Sequence, residues 1–268
     1  MIIMESFTLE YIGVKSPVIN ANENVFEIFI ELLSERNDLT LESGDLVVIA
    51  SKVVAMEQNR IINLEAIEPS QKAIDLASKS NLNPSFVEIV LRESDVVIGA
   101  VPGALLTLRN GDVNANAGID KSNAGLNKAI LLPDNPDQYS SKFKKALEEK
   151  YHITDVGVII ADSTTRPLRI GTVGSAIGTA GFPAIVDIRG QEDLFGYKMS
   201  ITLRNIADNI ASGANVIMGE SAESIPFVIV KGLQIQIKNH HWEEKSLSDL
   251  RIDPEKCLYF GNMHYTKL

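Results

Sequence analysis

The chain has a single cysteine, Cys257, in 268 residues. No internal disulfide can form, which fits a reducing, cytoplasmic compartment. Long apolar runs are also missing: the longest, Leu46–Ala50 and Val156–Ala161, have the length of buried strands. Neither approaches the ~18 residues needed to cross a bilayer. The start, Met1–Phe7, has no basic segment followed by an apolar core, so no secretory signal is expected. Positive charge is scarce, with a net charge of −10. That argues against nucleic acid as the main partner, because duplex binding depends on neutralising phosphates with Lys and Arg. Smaller anions stay open, since a bound cation or a local Arg cluster can reverse the field at one site. There is no internal repeat and no low-complexity segment. Both common nucleotide fingerprints are absent too: no GxGxxG follows a strand and no GxxxxGK[ST] occurs. Any nucleotide site must therefore be built another way.

What is present reads as a globular chain with 45% apolar and 22% charged residues. A short strand is expected over 8–14, then a helix over Val25–Glu35 capped by Asn22 or Asn24. Ser43-Gly44-Asp45 turns into the buried strand Leu46–Ala50. Pro69-Ser70 opens a second helix to about Lys79, and Asn83-Pro84-Ser85 a third to about Arg92. Strands follow over Asp95–Val101, Ala104–Arg109 and Val113–Ala117, with Asn110-Gly111 as a hairpin turn. Asp137–Lys150 is an amphipathic helix with Phe143 and Leu147 on one face. Asp155–Ala161 is a second buried strand, ending at Asp162-Ser163. A Gly-rich stretch covers 171–181, then come a strand over 184–188, a helix near 203–213 and a strand over 226–231. After Gly232 the pattern weakens, and an irregular tail laid over the body is expected. Helices and strands alternate without strict βαβ order, which favours a mixed α/β (α+β) sheet that is neither Rossmann nor P-loop.

Three acids share a setting. Asp120, Asp162 and Glu220 each follow an apolar or small-residue segment and precede polar, turn-forming residues. Carboxylates at element ends can converge on one sheet edge, where ligands bind in open α/β sheets. Oxygen ligands with few His and one Cys suit Mg²⁺ or Mn²⁺ rather than zinc. Each acid can equally be a turn or capping residue facing water. Ser163 adds a hydroxyl next to Asp162. Arg166 and Arg169 follow within one loop, where they either pair with phosphate or carboxylate oxygens or make surface ion pairs. Gly171, Gly174, Gly178 and Gly181 either let backbone approach a ligand or serve packing and turns. His240-His241-Trp242 reads as surface rather than as a metal or stacking site.

Seven segments, in order, carry a resemblance: SPVI (16–19), SGDLVVIASKVV (43–54), NAGIDKSN (116–123), ILLPDNPD (130–137), ADSTTRPLRIGTVGSAIGTAG (161–181), RGQEDLFG (189–196) and VIMGESAESIPFVIVKG (216–232). Together they resemble the motif series of the coenzyme F420-0:L-glutamate ligase family, from about residue 10 to 233. The resemblance implies a two-lobed catalytic region over 1–233, with 234–268 as a separate tail, and a homodimer. It implies GTP as co-substrate, two Mg²⁺ or Mn²⁺ ions, and K⁺ as a further cation. It also implies ligation of L-glutamate to the F420-0 carboxylate through an acyl phosphate. By motif matching, Asp120, Asp162, Ser163 and Glu220 fall on metal ligands; Arg166 and Arg169, from their own chemistry, are the candidate catalytic groups. Nucleotide contacts fall on Ser16, Pro17, Val18, Ile19, Ser51, Lys52, Asn123, Met218, Gly219, Ser221, Ala222, Glu223, Ser224 and Ile225. Three places depart from the pattern, one of them Pro167-Leu168-Arg169, where the family has an aromatic residue before the arginine. Met56 stands where the family has a lysine that contacts the nucleotide, with Lys52 nearby as a substitute. Ser163 replaces the common threonine and keeps its hydroxyl. The Met56 departure leaves two other readings: a paralogous ligase for another small carboxylate, or a nucleotide- and metal-binding protein without turnover.

Overall fold

The computed structural model describes residues 8–233, 247 and 251–262. The first half of the chain contributes β1 (Glu10–Val14), α1 (Val25–Ser34), β2 (Leu46–Ala50), α2 (Ser51–Glu57), β3 (Ile61–Asn63), α3 (Gln71–Ser80), α4 (Pro84–Glu93), β4 (Val96–Val101), β5 (Ala104–Arg109) and β6 (Asp112–Ala115). The second half adds β7 (Lys128–Ile130), α5 (Pro136–Tyr151), β8 (Gly157–Thr165), β9 (Thr172–Ala180), β10 (Ile185–Asp187), β11 (Leu203–Asn205), α6 (Ile206–Met218) and β12 (Phe227–Lys231). The fold is the mixed α/β architecture expected from the alternating pattern, with parallel and antiparallel pairs in one sheet.

The main sheet has the order β1-β12-β2-β8-β9. Its central strands alternate between two covered faces, as a period of two requires. Val47, Ile49, Val158, Ile160, Phe227 and Ile229 point to α1 and α5, meeting Phe29, Leu33, Phe143 and Leu147. Leu46, Val48, Ile159, Val228 and Val230 point the other way and meet Ile210, Ala211 and Ala214 of α6. Burial on both faces explains why these strands read as continuous apolar runs.

A smaller unit packs α3 and α4 on the three-stranded sheet β4-β5-β6, with Leu76, Phe86, Val90, Val97 and Leu105 in its own core. Asn110 and Gly111 take φ of 50° and 81° at the β5–β6 turn, the left-handed pair that a two-residue hairpin demands. Near this unit, Arg60 and Arg109 converge on Glu93, at 2.7 and 3.0 Å.

In four places the structure corrects, decides between or adds to these expectations. Asp162 does not end its strand: β8 continues to Thr165, because Asp162–Thr165 pair with Ser175–Thr172 of β9. The Gly-rich stretch is itself strand β9. Its glycines serve packing, since a Cβ at Gly174 would overlap the Ala211 carbonyl and one at Gly178 would overlap Pro136. The helix expected near 203–213 is displaced to Ile206–Met218, because 203–205 pairs with β10 and the Asn205 side chain accepts from the Asp208 N–H as its cap. Helix α2 went unforeseen, as seven residues of Ser-Lys-Val-Val-Ala-Met-Glu look like a continuation of the strand before them. The described tail residues hold two short 3₁₀ turns, Pro254–Lys256 and Phe260–Asn262. His240-His241-Trp242 lies outside the described residues.

Candidate functional site

Several chain segments reach one edge of the main sheet. Val14 at the end of β1 pairs with Phe227 at the start of β12, and Phe227 pairs with Ile49. Ala50, the last residue of β2, pairs with Ala161 of β8, so Asp162 projects just beyond it. The chain then leaves each strand at this edge into the segments singled out by sequence: 16–19 after β1, 51–52 after β2 and 218–225 before β12. Backbone bonds tie them together: Ser16 N–H donates to Ser224 O (2.9 Å) and Ala50 N–H to Pro226 O (2.9 Å). Asn123 joins the group, its side-chain amide donating to Ser221 O at 2.9 Å. Val18 stands 81% exposed beside buried Ile19.

Asp162 and Asp120 meet here from different parts of the chain. Ser51 begins α2, is itself buried, and donates its hydroxyl to Asp162 Oδ1 at 2.6 Å. Burial pushes the Asp162 carboxyl up to about 6. The Asp120 charge adds to that rise, while the Ser51 bond and the Lys52 charge oppose it. The dominance of desolvation fits a carboxyl deep in the site, even though the residue keeps some accessible surface. Asp120 is fixed by an isolated bridge to Ile130. Its carboxylate accepts from Ser122 N–H (2.7 Å) and Ser122 Oγ (2.6 Å) and pairs with Lys52 Nζ at 2.8 Å. Burial alone would raise this carboxyl, but the bonds from Lys52 and Ser122 outweigh it and hold it below its ordinary value.

Lys52 is thus a built-in cation. Its Nζ also donates to Ser122 Oγ (2.8 Å) and lies close enough to Asp162 to lower that group. Two carboxylates facing one ammonium, with Ser51 and Ser122 hydroxyls beside them, form an all-oxygen donor set. That chemistry suits a hard divalent ion that takes one or two carboxylates and completes its shell with water and phosphate. No group of three or more acidic, His or Cys side chains is gathered in metal-holding geometry among the described residues.

The remaining candidates sit farther along. Ser163 is exposed next to Asp162, opposite Gly174. Glu220 is held elsewhere, accepting from Thr172 Oγ1 (2.8 Å) and Asn215 Nδ2 (3.1 Å). Thr172 pairs with Thr165, three residues up β8 from Asp162, or roughly 10 Å at ordinary strand rise. Glu223 accepts from Ser221 N–H at 2.8 Å, which shapes the 218–225 turn. Arg166 and Arg169 lie on the exposed β8–β9 loop, closed by the bond from Arg169 N–H to Arg166 O (3.2 Å). Arg166 Nη2 comes only within 4.0 Å of Asp208. Met56 is half-buried against Ala55, Ile61, Ala124 and Ile130, an apolar setting. The Ser51–Asp162 bond is the functional contact that motif reading did not supply, because nothing in the sequence signalled that β2 and β8 pair in parallel.

Residues 13–232 match the family described as F420-0:Gamma-glutamyl ligase. A protein of Methanopyrus kandleri named Coenzyme F420:L-glutamate ligase is 39% identical over 222 residues, covering 82% of this chain and 87% of that one. Its namesake in Methanocaldococcus jannaschii is 38% identical over 239 residues, 88% and 93% of the two chains. Another, in Archaeoglobus fulgidus, is 39% identical over 207 residues, 76% and 81%.

Proposed function

Because the chain belongs to the F420-0:gamma-glutamyl ligase family, we propose that it joins L-glutamate to the carboxylate of coenzyme F420-0, driven by GTP and a divalent cation. Amide formation from a free carboxylate is uphill until one oxygen becomes a leaving group. In this reading the carboxylate takes the γ-phosphoryl group of GTP, releasing GDP. The glutamate nitrogen then attacks the acyl phosphate, the C–O bond breaks, and inorganic phosphate leaves with the amide formed.

The observation that carries the reading is the meeting of Asp120 and Asp162 at the edge shared by 16–19, 51–52 and 218–225. Mg²⁺ or Mn²⁺ would be held by these two carboxylates, and Ser163 and Glu220 would serve a second ion. Bound cations would supply charge neutralisation where phosphoryl oxygens gain charge. Ser51 orients Asp162, and Lys52, displaced from Asp120, turns to the phosphates and takes the place of the lysine that Met56 lacks. Asn123 and the backbone of 218–225 hold the nucleotide. Arg166 and Arg169 orient the acyl phosphate or a substrate carboxylate. K⁺ would join as a monovalent counter-ion. A paralogous ligase for another small carboxylate is the second reading, favoured by the apolar packing of Met56. Product mass spectrometry after incubation with GTP, Mn²⁺, F420-0 and glutamate tests the choice. A glutamyl adduct with one GDP per bond is expected, and GTP turnover independent of F420-0 would overturn it.

The working unit in this proposal is a homodimer. Leu168 and Ile170 on the β8–β9 loop, and Leu194, Phe195, Tyr197 and Ile201 on the arm between β10 and β11, are exposed between 76% and 108%. At about 150 Å² each they offer on the order of 900 Å² of apolar surface, and a stable interface takes about 800 Å² from each partner. The arm is pre-shaped rather than loose: Asp193 Oδ1 accepts from Phe195 and Tyr197 N–H, both at 2.8 Å. Residues 185–205 carry three acids and three bases, so this face escapes the repulsion of a chain at −10. Light scattering should give twice 29.3 kDa for the wild type and the single mass for Phe195→Asp. A monomeric wild type would contradict the dimer.

A further inference from the structure

The family match ends at residue 232, yet Leu247 and Arg251 reach back into the body. Leu247 N–H donates to Asp137 Oδ1 at 3.2 Å, at the start of α5. Asp137 Oδ1 also accepts from Thr179 N–H (2.9 Å) on β9, the edge strand of the main sheet. Leu247 packs against the α6 side of that sheet, so this part of the tail covers its open edge. Arg251 then crosses to the smaller unit. Its Nη2 pairs with Asp112 Oδ2 at 2.6 Å, and its stem lies over the β5–β6 turn, where a Cβ on Gly111 would sit 3.0 Å from Arg251 Cδ. Arg251, Asp112, Asp137 and Arg109 line a cavity of about 480 Å³ between the hairpin and α5.

The charge balance explains why an arginine lies there. Asp112 feels the negative charges of both Asp208 and Asp137, and burial and these acids push its carboxyl up while Arg251 brings it down. Arg251 Nε is buried with no hydrogen-bond partner among the described residues. Its hold is therefore mainly ionic and local to Asp112, rather than a saturated fork. The contact links the units that bear the two site acids: Asp162 on the main sheet, and Asp120 beside Ile119 and Leu131 of the smaller core. Across the site, Asp120 itself meets the main-sheet unit through Lys52, while its bridge partner Ile130 packs on Ala55 and Met56 of α2.

We propose that Arg251 is a positioning residue: it clamps the tail across the β9 edge onto the β5–β6 hairpin and so fixes the separation of Asp120 from Asp162. Its bearing on the reaction rests on the ligase reading above; the clamp itself does not. The test is a pulsed electron-paramagnetic-resonance distance between spin labels at Lys79→Cys on α3 and Lys145→Cys on α5, both exposed positions, in a Cys257→Ser background. Arg251→Met, which keeps the stem, should widen the distribution at least about twofold, as release of one unit from another does. Asp112→Asn should do the same from the other partner, and Arg251→Lys should restore the narrow distribution. Mn²⁺ affinity should weaken with the widening. Superposable distributions for wild type and Arg251→Met, or widening that Arg251→Lys leaves unchanged, would overturn the clamp. A wild type that binds no Mn²⁺ would instead defeat the ligase site, with the distances still deciding the clamp.

Discussion

Two groups of acids border strands β8 and β9, and they are neutralised differently. At the sheet edge, Asp120 and Asp162 face hydroxyls and one lysine ammonium. In the cleft by α6, Asp208 Oδ1 accepts from Ala176 N–H (2.9 Å) and Ser175 Oγ (3.0 Å), and Oδ2 from Asn205 Nδ2 (2.7 Å). Asp137 accepts from two backbone N–H groups. The β9 donors, Ala176 N–H and Thr179 N–H, cannot leave without unfolding that strand, so Asp208 and Asp137 are framework. An ammonium on a four-carbon stem can swing away, so in the proposed reading the edge pair would exchange Lys52 for an arriving ion. Charge density alone therefore does not mark a site; a removable counter-charge does.

The largest break in this contrast should come from Asp162→Asn. It keeps an oxygen for Ser51 but removes a full charge, so turnover should fall about 100-fold, or ~3 kcal/mol in the barrier. Its metal-free melting temperature should hold or rise, because a desolvated charge is gone. Asp208→Ala should do the reverse, costing about 2 kcal/mol of stability from the lost bonds to Ser175, Ala176 and Asn205 while Mn²⁺ affinity stays near wild type. Thermal unfolding of the two variants side by side checks both.

Acidity sharpens the comparison. The folded Asp162 carboxyl at about 6 lies above its ordinary 3.8. In that window the folded chain binds more protons than the unfolded one. Metal-free stability should then fall as pH rises from about 4 to 6, by at most ~3 kcal/mol from this group. Subtracting the Asp162→Asn profile isolates it; parallel profiles would show that the carboxyl titrates normally. The smallest effect is expected from Met56→Lys. A long stem can lie along Ala55 and Ile61 with its ammonium at the surface, and GTP should bind severalfold tighter by calorimetry. Unchanged affinity would mean Lys52 already fills the role.

The main sheet was legible because Leu46–Ala50 and Val156–Ala161 are apolar on both faces, and the β5–β6 turn because Asn110-Gly111 has one common use. Strand β9 was not, since glycine is poor in strands by propensity; the tight approach of α5 and α6 selects it at 174 and 178. The acids Asp120 and Asp162 could be named from motifs, but their shared ammonium and the Ser51 bond come from parallel pairing over 111 residues of separation. Arg251 carried no sequence signal, because its partner Asp112 lies 139 residues away.

Titration of the metal-free protein with Mn²⁺, following the free-ion resonance signal, tests the exchange of Lys52 for a divalent ion most directly. Wild type should deplete the free signal, with Asp120→Asn and Asp162→Asn each at least about tenfold weaker and Asp208→Asn unchanged. Equal binding by wild type and Asp162→Asn would contradict the account.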